Sequence, residues 1–337
     1  MTDRAVARAV DALRRGWPVR VTDGADALTV AAVETAPPEP GADLLITARR
    51  AEALKIGNQR DAATADPVRV APAPWREPKA VADPATDLSH PLQGPFQAVP
   101  LGSATLARAA LQLAKTAGLL PAVYILPAFA PEAKVDAAAL GAPPHPTAPV
   151  LTRARLPVEG IEGSVAVSFG GDAREQLALV IGAPNGQAPL VRLHSECLTG
   201  DVLGSLKCDC GPQLRTALAR MGAEGWGALL YLRQEGRGIG LANKLRAYGL
   251  QDQGFDTVDA NWRLGFDDDE RDFRVAGAML RSLGMTEVRL LSNNPRKAEA
   301  LGRAGVTVAS VESLRAGAHP HNVRYLETKR TRSGHRL

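Results

Sequence analysis

All three cysteines of this 337-residue chain fall between Cys197 and Cys210. Thiols that close in sequence cannot staple distant segments, so the fold has to rest on hydrophobic cores rather than on a disulfide framework. The pattern is Cys197, ten residues, Cys208, one residue, Cys210. Four protein ligands mark a structural zinc, whereas three ligands and an open position mark a catalytic one. No fourth cysteine exists and no His-x-x-x-His pair appears, although His194 or an acidic side chain could close the site. Three buried small side chains are the plainer alternative, and a Cys208–Cys210 disulfide would be strained. Because every cysteine belongs to the cluster, the reading is one zinc per chain, held by Cys197, Cys208 and Cys210.

Composition narrows the partners. The length predicts two domains, and 45% hydrophobic with 23% charged residues is ordinary for a soluble globular protein. Aromatic content of 4% argues against a base-stacking platform, and a net charge of +4 without a Lys/Arg block argues against nucleic acid. A small phosphate-bearing ligand suits that balance. The N-terminus runs into a charged amphipathic stretch with no signal-like apolar core, and the most apolar run, 117–130, is cut by Pro121 and Pro127. The expectation is a reduced, cytoplasmic protein with no membrane segment.

Periodicity supplies the architecture. A helix over 4–15 and strands over 18–22, 44–46 and 68–70 open the chain, followed by a proline-studded irregular stretch from Pro67 to Pro100. A helix over 105–117 and a strand over 122–126 come next. Residues 127–150, rich in proline and alanine, read as a linker between an N-terminal domain (1–126) and a second domain (151–337). Strands at 164–168, 177–181, 189–193, 228–232 and 288–291 then alternate with helices, including one opened by Pro212 and one by Pro295. The fold class expected is α/β (α+β): a mixed sheet with flanking helices, plus a smaller α/β N-terminal domain.

Three further stretches carry chemistry. Arg233-Gln234-Glu235-Gly236-Arg237-Gly238 sits between a buried strand and a helix; it suits a phosphate cradle and, equally, a flexible turn. Asp267-Asp268-Asp269-Glu270-Arg271-Asp272 could hold magnesium with a polyphosphate, while the reading favoured from its residues alone is a solvated helix start. Ser292-Asn293-Asn294-Pro295-Arg296-Lys297 is a helix start that would also suit an anion, with Lys297 as a point charge.

Taken in order, these stretches resemble the GTP cyclohydrolase II family of riboflavin synthesis. The resemblance runs through His194-Ser195-Glu196-Cys197-Leu198-Thr199-Gly200-Asp201, Cys208-Asp209-Cys210-Gly211, Arg233 to Arg237 and Gln251-Asp252-Gln253-Gly254. It continues through Asp269-Glu270-Arg271-Asp272-Phe273, Asn293-Asn294-Pro295 and Tyr325-Leu326-x-Thr328-Lys329, covering roughly 152–335. It implies hydrolysis of GTP to a diaminopyrimidinone ribosylamine phosphate, formate and pyrophosphate, with zinc on the three cysteines and magnesium on the polyphosphate. It implies Arg271 as nucleophile towards the α-phosphate or, more mildly, as a clamp on it, with Asp269 as proton acceptor and Tyr248 assisting ring opening. The GTP contacts it implies are Arg192, Leu193, His194, Ser195, Glu196, Gln213, Glu235, Gly236, Arg237, Thr257, Ser292 and Lys297, the serine standing where the family shows threonine. A homodimer is the expected assembly. The alternatives kept open are a paralogue that stops at a formamide product and a nucleotide-binding regulator with structural zinc.

The first half resembles dihydroxybutanone-phosphate synthase in Arg14 to Asp23 and Ala109 to Leu119. The acidic metal-binding cluster and the Gly-His-Thr-Glu motif that chemistry needs are replaced by Gly24 to Val30 and by Gly102-Ser103-Ala104-Thr105. The resemblance therefore implies a non-catalytic domain serving packing, dimerisation or regulation.

Overall fold

The computed structural model describes residues 4–62, 66–91, 93–141, 146–171, 175–314, 327, 331 and 332. The closing motif Tyr325 to Lys329 lies outside them except at residue 327.

In chain order the elements begin with α1 (Arg4–Arg14), β1 (Val19–Asp23), β2 (Asp26–Ala32), β3 (Leu44–Ile46), α2 (Ala48–Ala53) and β4 (Val68–Val70). There follow α3 (Pro78–Ala82), β5 (Ala98–Val99), α4 (Ala104–Thr116), β6 (Ala122–Ile125) and β7 (Ala133–Asp136). The next group is β8 (Val150–Arg155), β9 (Ser164–Phe169), β10 (Gln176–Gly182), β11 (Leu190–Ser195), α5 (Cys210–Glu224) and β12 (Trp226–Leu232). The chain continues with α6 (Leu241–Asp252), α7 (Thr257–Arg263), α8 (Arg274–Ser282), β13 (Glu287–Leu291), α9 (Pro295–Arg303) and β14 (Thr307–Glu312).

These elements form two compact units: the described residues of 2–143 with Ile239–Glu270, and those of 144–238 with 271–337. The first is built on a sheet ordered β5-β4-β3-β6-β2-β1-β7, antiparallel except for the β1–β7 pair. Strand β6 reads as an unbroken apolar run because both of its faces are covered. Val123 and Ile125 join Val6, Leu13 and Leu113 of α1 and α4 in one core. Ala122 and Tyr124 face the other, which takes in Leu250, Leu264 and Phe266 from the 239–270 segment. Each such large side chain removed from water contributes about 1.5–3 kcal/mol. The charged groups of that segment are also matched inside this unit: Arg246 donates to Glu34 and to Asp83, each at 2.9 Å.

Two expectations are corrected here. Residues 133–140, inside the stretch read as linker, form β7 and a 3-10 turn, and β7 pairs with β1 from Val19↔Ala133 to Thr22↔Asp136. Four residues are too few for alternation to stand out against the surrounding prolines, and the partner strand lies more than a hundred positions away. Within the stretch from Pro67 to Pro100, prolines start short helices at Pro78 and Pro84 instead of only breaking structure.

The second unit carries the sheet β14-β13-β11-β12-β10-β9-β8. Its two faces follow the two-residue period of the strands. Val191, Leu193, Ala228 and Leu230 pack with Ala276, Met279 and Leu280 of α8 and Leu301 of α9. Leu190, Leu229 and Ile181 pack with Ala217 and Met221 of α5. Helix α5 stops where Gly225 takes a left-handed conformation at φ 70°, a backbone geometry that favours glycine. At the centre of the sheet β11 runs parallel to both β12 and β13. Loops leaving these three strands therefore emerge at the same carboxyl edge, where ligands bind in open α/β sheets.

Candidate active site and metal centre

The loop after β11 carries the first cysteine. Cys197 is followed by a single π-type turn, Leu198–Val202, in which Gly200 N–H and Asp201 N–H both donate to the Cys197 carbonyl, at 3.0 and 2.7 Å. Cys208 and Cys210 sit at the start of α5, so the turn and the helix bring the three sulfurs within 4.8 Å of one another. Gly200 leaves room for them: a Cβ there would lie 2.7 Å from the Cys208 sulfur and 3.0 Å from that of Cys197.

These residues fit a thiophilic cation. The Cys197 and Cys208 sulfurs are 3.7 Å apart, close to the roughly 3.8 Å that tetrahedral zinc with 2.3 Å bonds to sulfur would impose. Hydrogen bonding with Cys197, together with burial, raises the Cys208 and Cys210 thiols above their ordinary range. Three thiolates in so small a space need a cation between them. Cys197 and Cys208 are buried and Cys210 is half-buried. Among the described residues, this is the cluster of three or more cysteine, histidine or acidic side chains that could hold a metal ion.

Beside the thiols, alternate residues of β11 face α5. Arg192 is buried and donates to the Leu291 carbonyl at 3.0 Å and to Gln213 Oε1 at 2.6 Å. Burial pulls its guanidinium down to about 10, against the opposing pull of Asp209. His194, two residues on, is 3% exposed and lies 3.0 Å from Asp201 through Nε2. Burial also lowers the pKa of its imidazole, although Asp201 opposes the shift. Arg192 Nε and His194 Nδ1 are both buried with no hydrogen-bond partner among the described residues. Two unmatched polar atoms on one face of one strand suit a polar ligand.

The other loops supply further groups. Glu235, after β12, is buried; its carboxylate accepts from Leu198 N–H at 2.7 Å and Gly236 N–H at 2.9 Å, tying the glycine-rich loop to the cysteine loop. Gly236 and Arg237 both adopt positive φ, 63° and 59°, so the loop is a strained turn rather than a helix start. Ser195 Oγ accepts from Gln234 Nε2 at 3.2 Å and from Arg271 at 3.4 Å, and Glu196 N–H donates to the Leu232 carbonyl. After β13, Ser292 accepts from Asn294 N–H and Asn294 caps α9, while Lys297 is buried and donates to the Leu193 carbonyl at 2.6 Å. Arg271 and Lys297 both lie over the Phe273 ring, at 5.0 and 5.5 Å.

The sequence-predicted residues thus divide. Arg192 to Glu196, the cysteines, Gln213, Glu235 to Arg237, Arg271, Ser292 and Lys297 belong to the second unit. Tyr248 on α6, Thr257 at the start of α7 and Asp269 belong to the first. Thr257 Oγ1 accepts from Gln251 there. The acidic stretch divides as well. Glu270 accepts from Lys115 at 2.6 Å in the first unit, while Asp272 accepts from Arg274 N–H at the start of α8 in the second. The solvated helix start expected for the whole stretch therefore holds only at its end.

Two residues in this site had no expected role, Asp201 and Tyr231. Asp201 lay inside a quoted motif and Tyr231 inside a predicted strand, but their meeting depends on strand register.

The second unit is therefore a mixed α/β domain with a cluster of three thiols that could hold a metal ion at the carboxyl edge of its sheet. Residues 151–313 match the family model described as GTP cyclohydrolase II. A GTP cyclohydrolase-2 from Azospirillum brasilense is 41% identical over 367 aligned positions, covering 98% of this chain and 94% of that protein. One from Enterobacter sp. (strain 638) is 57% identical over 165 residues, 49% of this chain and 84% of its own. Among solved structures, a two-domain 3,4-dihydroxy-2-butanone 4-phosphate synthase from A. baumannii aligns at 17% identity and a TM-score of 0.31. That alignment covers 93% of this chain and 100% of the other, a likeness too low to carry the fold of either unit. The chain belongs to the GTP cyclohydrolase II family.

Proposed function

We propose that this chain hydrolyses GTP to 2,5-diamino-6-ribosylamino-pyrimidinone 5'-phosphate, formate and pyrophosphate, the entry reaction of riboflavin synthesis. The observation that carries the reading is the thiol trio beside Arg192, His194, Glu235 and Lys297, on loops leaving one carboxyl edge of a parallel sheet core.

In this reading Cys197, Cys208 and Cys210 hold zinc. When bound with an open position, zinc lowers the pKa of water towards neutrality and so supplies the nucleophile that imidazole ring opening needs. The protein's own groups do the rest. Arg192, Gln213 and residues 193–196 take their contacts with GTP from the family motifs. The glycine-rich turn at 235–237, with Ser292 and Lys297, receives the phosphates, and magnesium accompanies the polyphosphate as counter-ion. Arg271, which donates to Ser195 Oγ and lies over the Phe273 ring, serves the α-phosphate as a clamp. Asp269 and Tyr248 take their roles as proton acceptor and ring-opening aid from the family motifs, and Thr257 its contact with GTP.

We further propose that 1–126 does not catalyse the dihydroxybutanone-phosphate reaction. Ser103 Oγ accepts from Leu106 N–H and caps α4, so it serves local structure. A homodimer and a cytoplasmic setting complete the reading. No helix among the described residues is long and apolar enough to cross a membrane.

The test incubates the purified, zinc-loaded chain with GTP and magnesium and measures formate and pyrophosphate together. Equal yields of both are expected. Pyrophosphate without formate would assign the chain to a paralogue that stops at a formamide product, and neither product would overturn the reading.

A further inference from the structure

We propose that Asp201 is a positioning residue of this site: its buried carboxylate holds the Cys197 backbone and the Nε2–H form of His194 together, so that His194 offers Nδ1 as an acceptor. The inference rests on the reading above for the roles of Cys197 and His194 and adds a residue that reading does not use.

Three donors from three separate elements converge on the Asp201 side chain, which is 3% exposed. His194 Nε2, at the end of β11, lies 3.0 and 3.1 Å from its two oxygens. The Tyr231 hydroxyl, at the end of β12, donates at 2.9 Å. Cys197 N–H donates at 3.1 Å, while Asp201 N–H returns a bond to the Cys197 carbonyl at 2.7 Å, closing a small ring around the cysteine. The parallel register pairs His194 with Tyr231, and their rings stack with centroids 5.7 Å apart. A residue that merely capped the turn would need only the Cys197 amide. The two extra donors, brought in by neighbouring strands, make Asp201 the point where the ligand-bearing loop is tied to the sheet.

The tautomer follows from the chemistry of the acceptor. A carboxylate only accepts, so the ring nitrogen facing it carries the proton. The other nitrogen then has a free lone pair. Among the described residues no donor reaches the buried His194 Nδ1, so its open valence is that of an acceptor. Carboxylates behind metal-site residues commonly set orientation in this way, and their loss typically costs about 10–100-fold in affinity or activity.

The experiment is a nitrogen-15 spectrum of the full-length, zinc-loaded protein labelled at histidine, with His194 assigned by its absence in His194→Gln. The wild type is expected to show a proton on His194 Nε2 and an unprotonated Nδ1. In Asp201→Asn, whose amide can point N–H at the ring, the proton is expected to move towards Nδ1 and kcat/KM to fall roughly 10–100-fold. Tyr231→Phe, which leaves the carboxylate in place, is expected to keep the Nε2–H signal and lose less than about tenfold. A wild-type ring that is doubly protonated or protonated on Nδ1 overturns the proposal. So does an Asp201→Asn protein with lost activity and an unchanged His194 signal. Formate release by the wild type is scored separately, so failure of the enzymatic reading and failure of this inference can be told apart.

Discussion

Each unit is built on a seven-stranded sheet, and the direction of neighbouring strands separates what the two can do. In the second unit β11 has parallel neighbours on both sides, so successive loops leave from one edge and their polar groups accumulate there. In the first unit the central pairs β1–β2, β2–β6 and β6–β3 are antiparallel, and chain ends alternate between the two edges. Its largest fully buried charge, Arg50, is matched inside the unit. Arg50 is bonded twice by Asp87, at 2.5 and 2.9 Å, with both side chains buried. The second unit instead buries Arg192 and His194 with an atom of each left unmatched. Buried unmatched atoms occur in both units, Arg76 Nε and Gln93 Oε1 in the first; what distinguishes the second is that its pair stands on one strand beside the three thiols.

The sharpest way to break this contrast is Cys208→Ser. If the thiols serve chemistry, formate release should fall by about 10³-fold or more, the loss of several kcal/mol of transition-state stabilisation, while the thermal transition stays near wild type. A variant that unfolds instead would make the metal structural and move the second unit to the same side as the first. Next in size is Asp87→Ala, which strands the buried Arg50 guanidinium. Urea titration should show a loss of about 3–5 kcal/mol. A loss below about 1 kcal/mol would mean that water reaches Arg50 and that the first unit is less tightly paired than its geometry implies.

Arg246→Met is the finest probe of the three. It removes the bonds to Glu34 and Asp83 that tie α6 to the N-terminal sheet, and should cost about 1.5–3 kcal/mol, the worth of hydrogen bonds to charged groups. Because Tyr248 is two residues away, the ratio of formate to pyrophosphate should be measured alongside stability. A fall in that ratio would give the N-terminal half a part in the chemistry; a constant ratio would confine it to packing.

Five strands of the second unit, β9 to β13, and the thiol trio were legible because their signals are local, whereas β8 and β14 were not read from the sequence. Two-residue alternation gives β9 and β10, and Pro295 after Asn294 gives the start of α9. Strand β7 was hidden by brevity. The allegiance of 239–270 was hidden for another reason: the apolar faces of Leu250, Leu264 and Phe266 announce that they will be buried but not against what.

The order of motifs and the clustering of every cysteine were determined by the sequence alone, and with them the family and a thiol site for metal. Tertiary structure decided which groups meet. Asp201 reaches His194 and Tyr231 only because β11 and β12 lie side by side with 194 opposite 231. The 239–270 segment, which carries Tyr248 and Thr257, joins the N-terminal unit because that is where its apolar side chains leave water. Register between distant strands and the choice of a burial partner are settled by the free energy of the whole packed chain, and no window of local periodicity contains either.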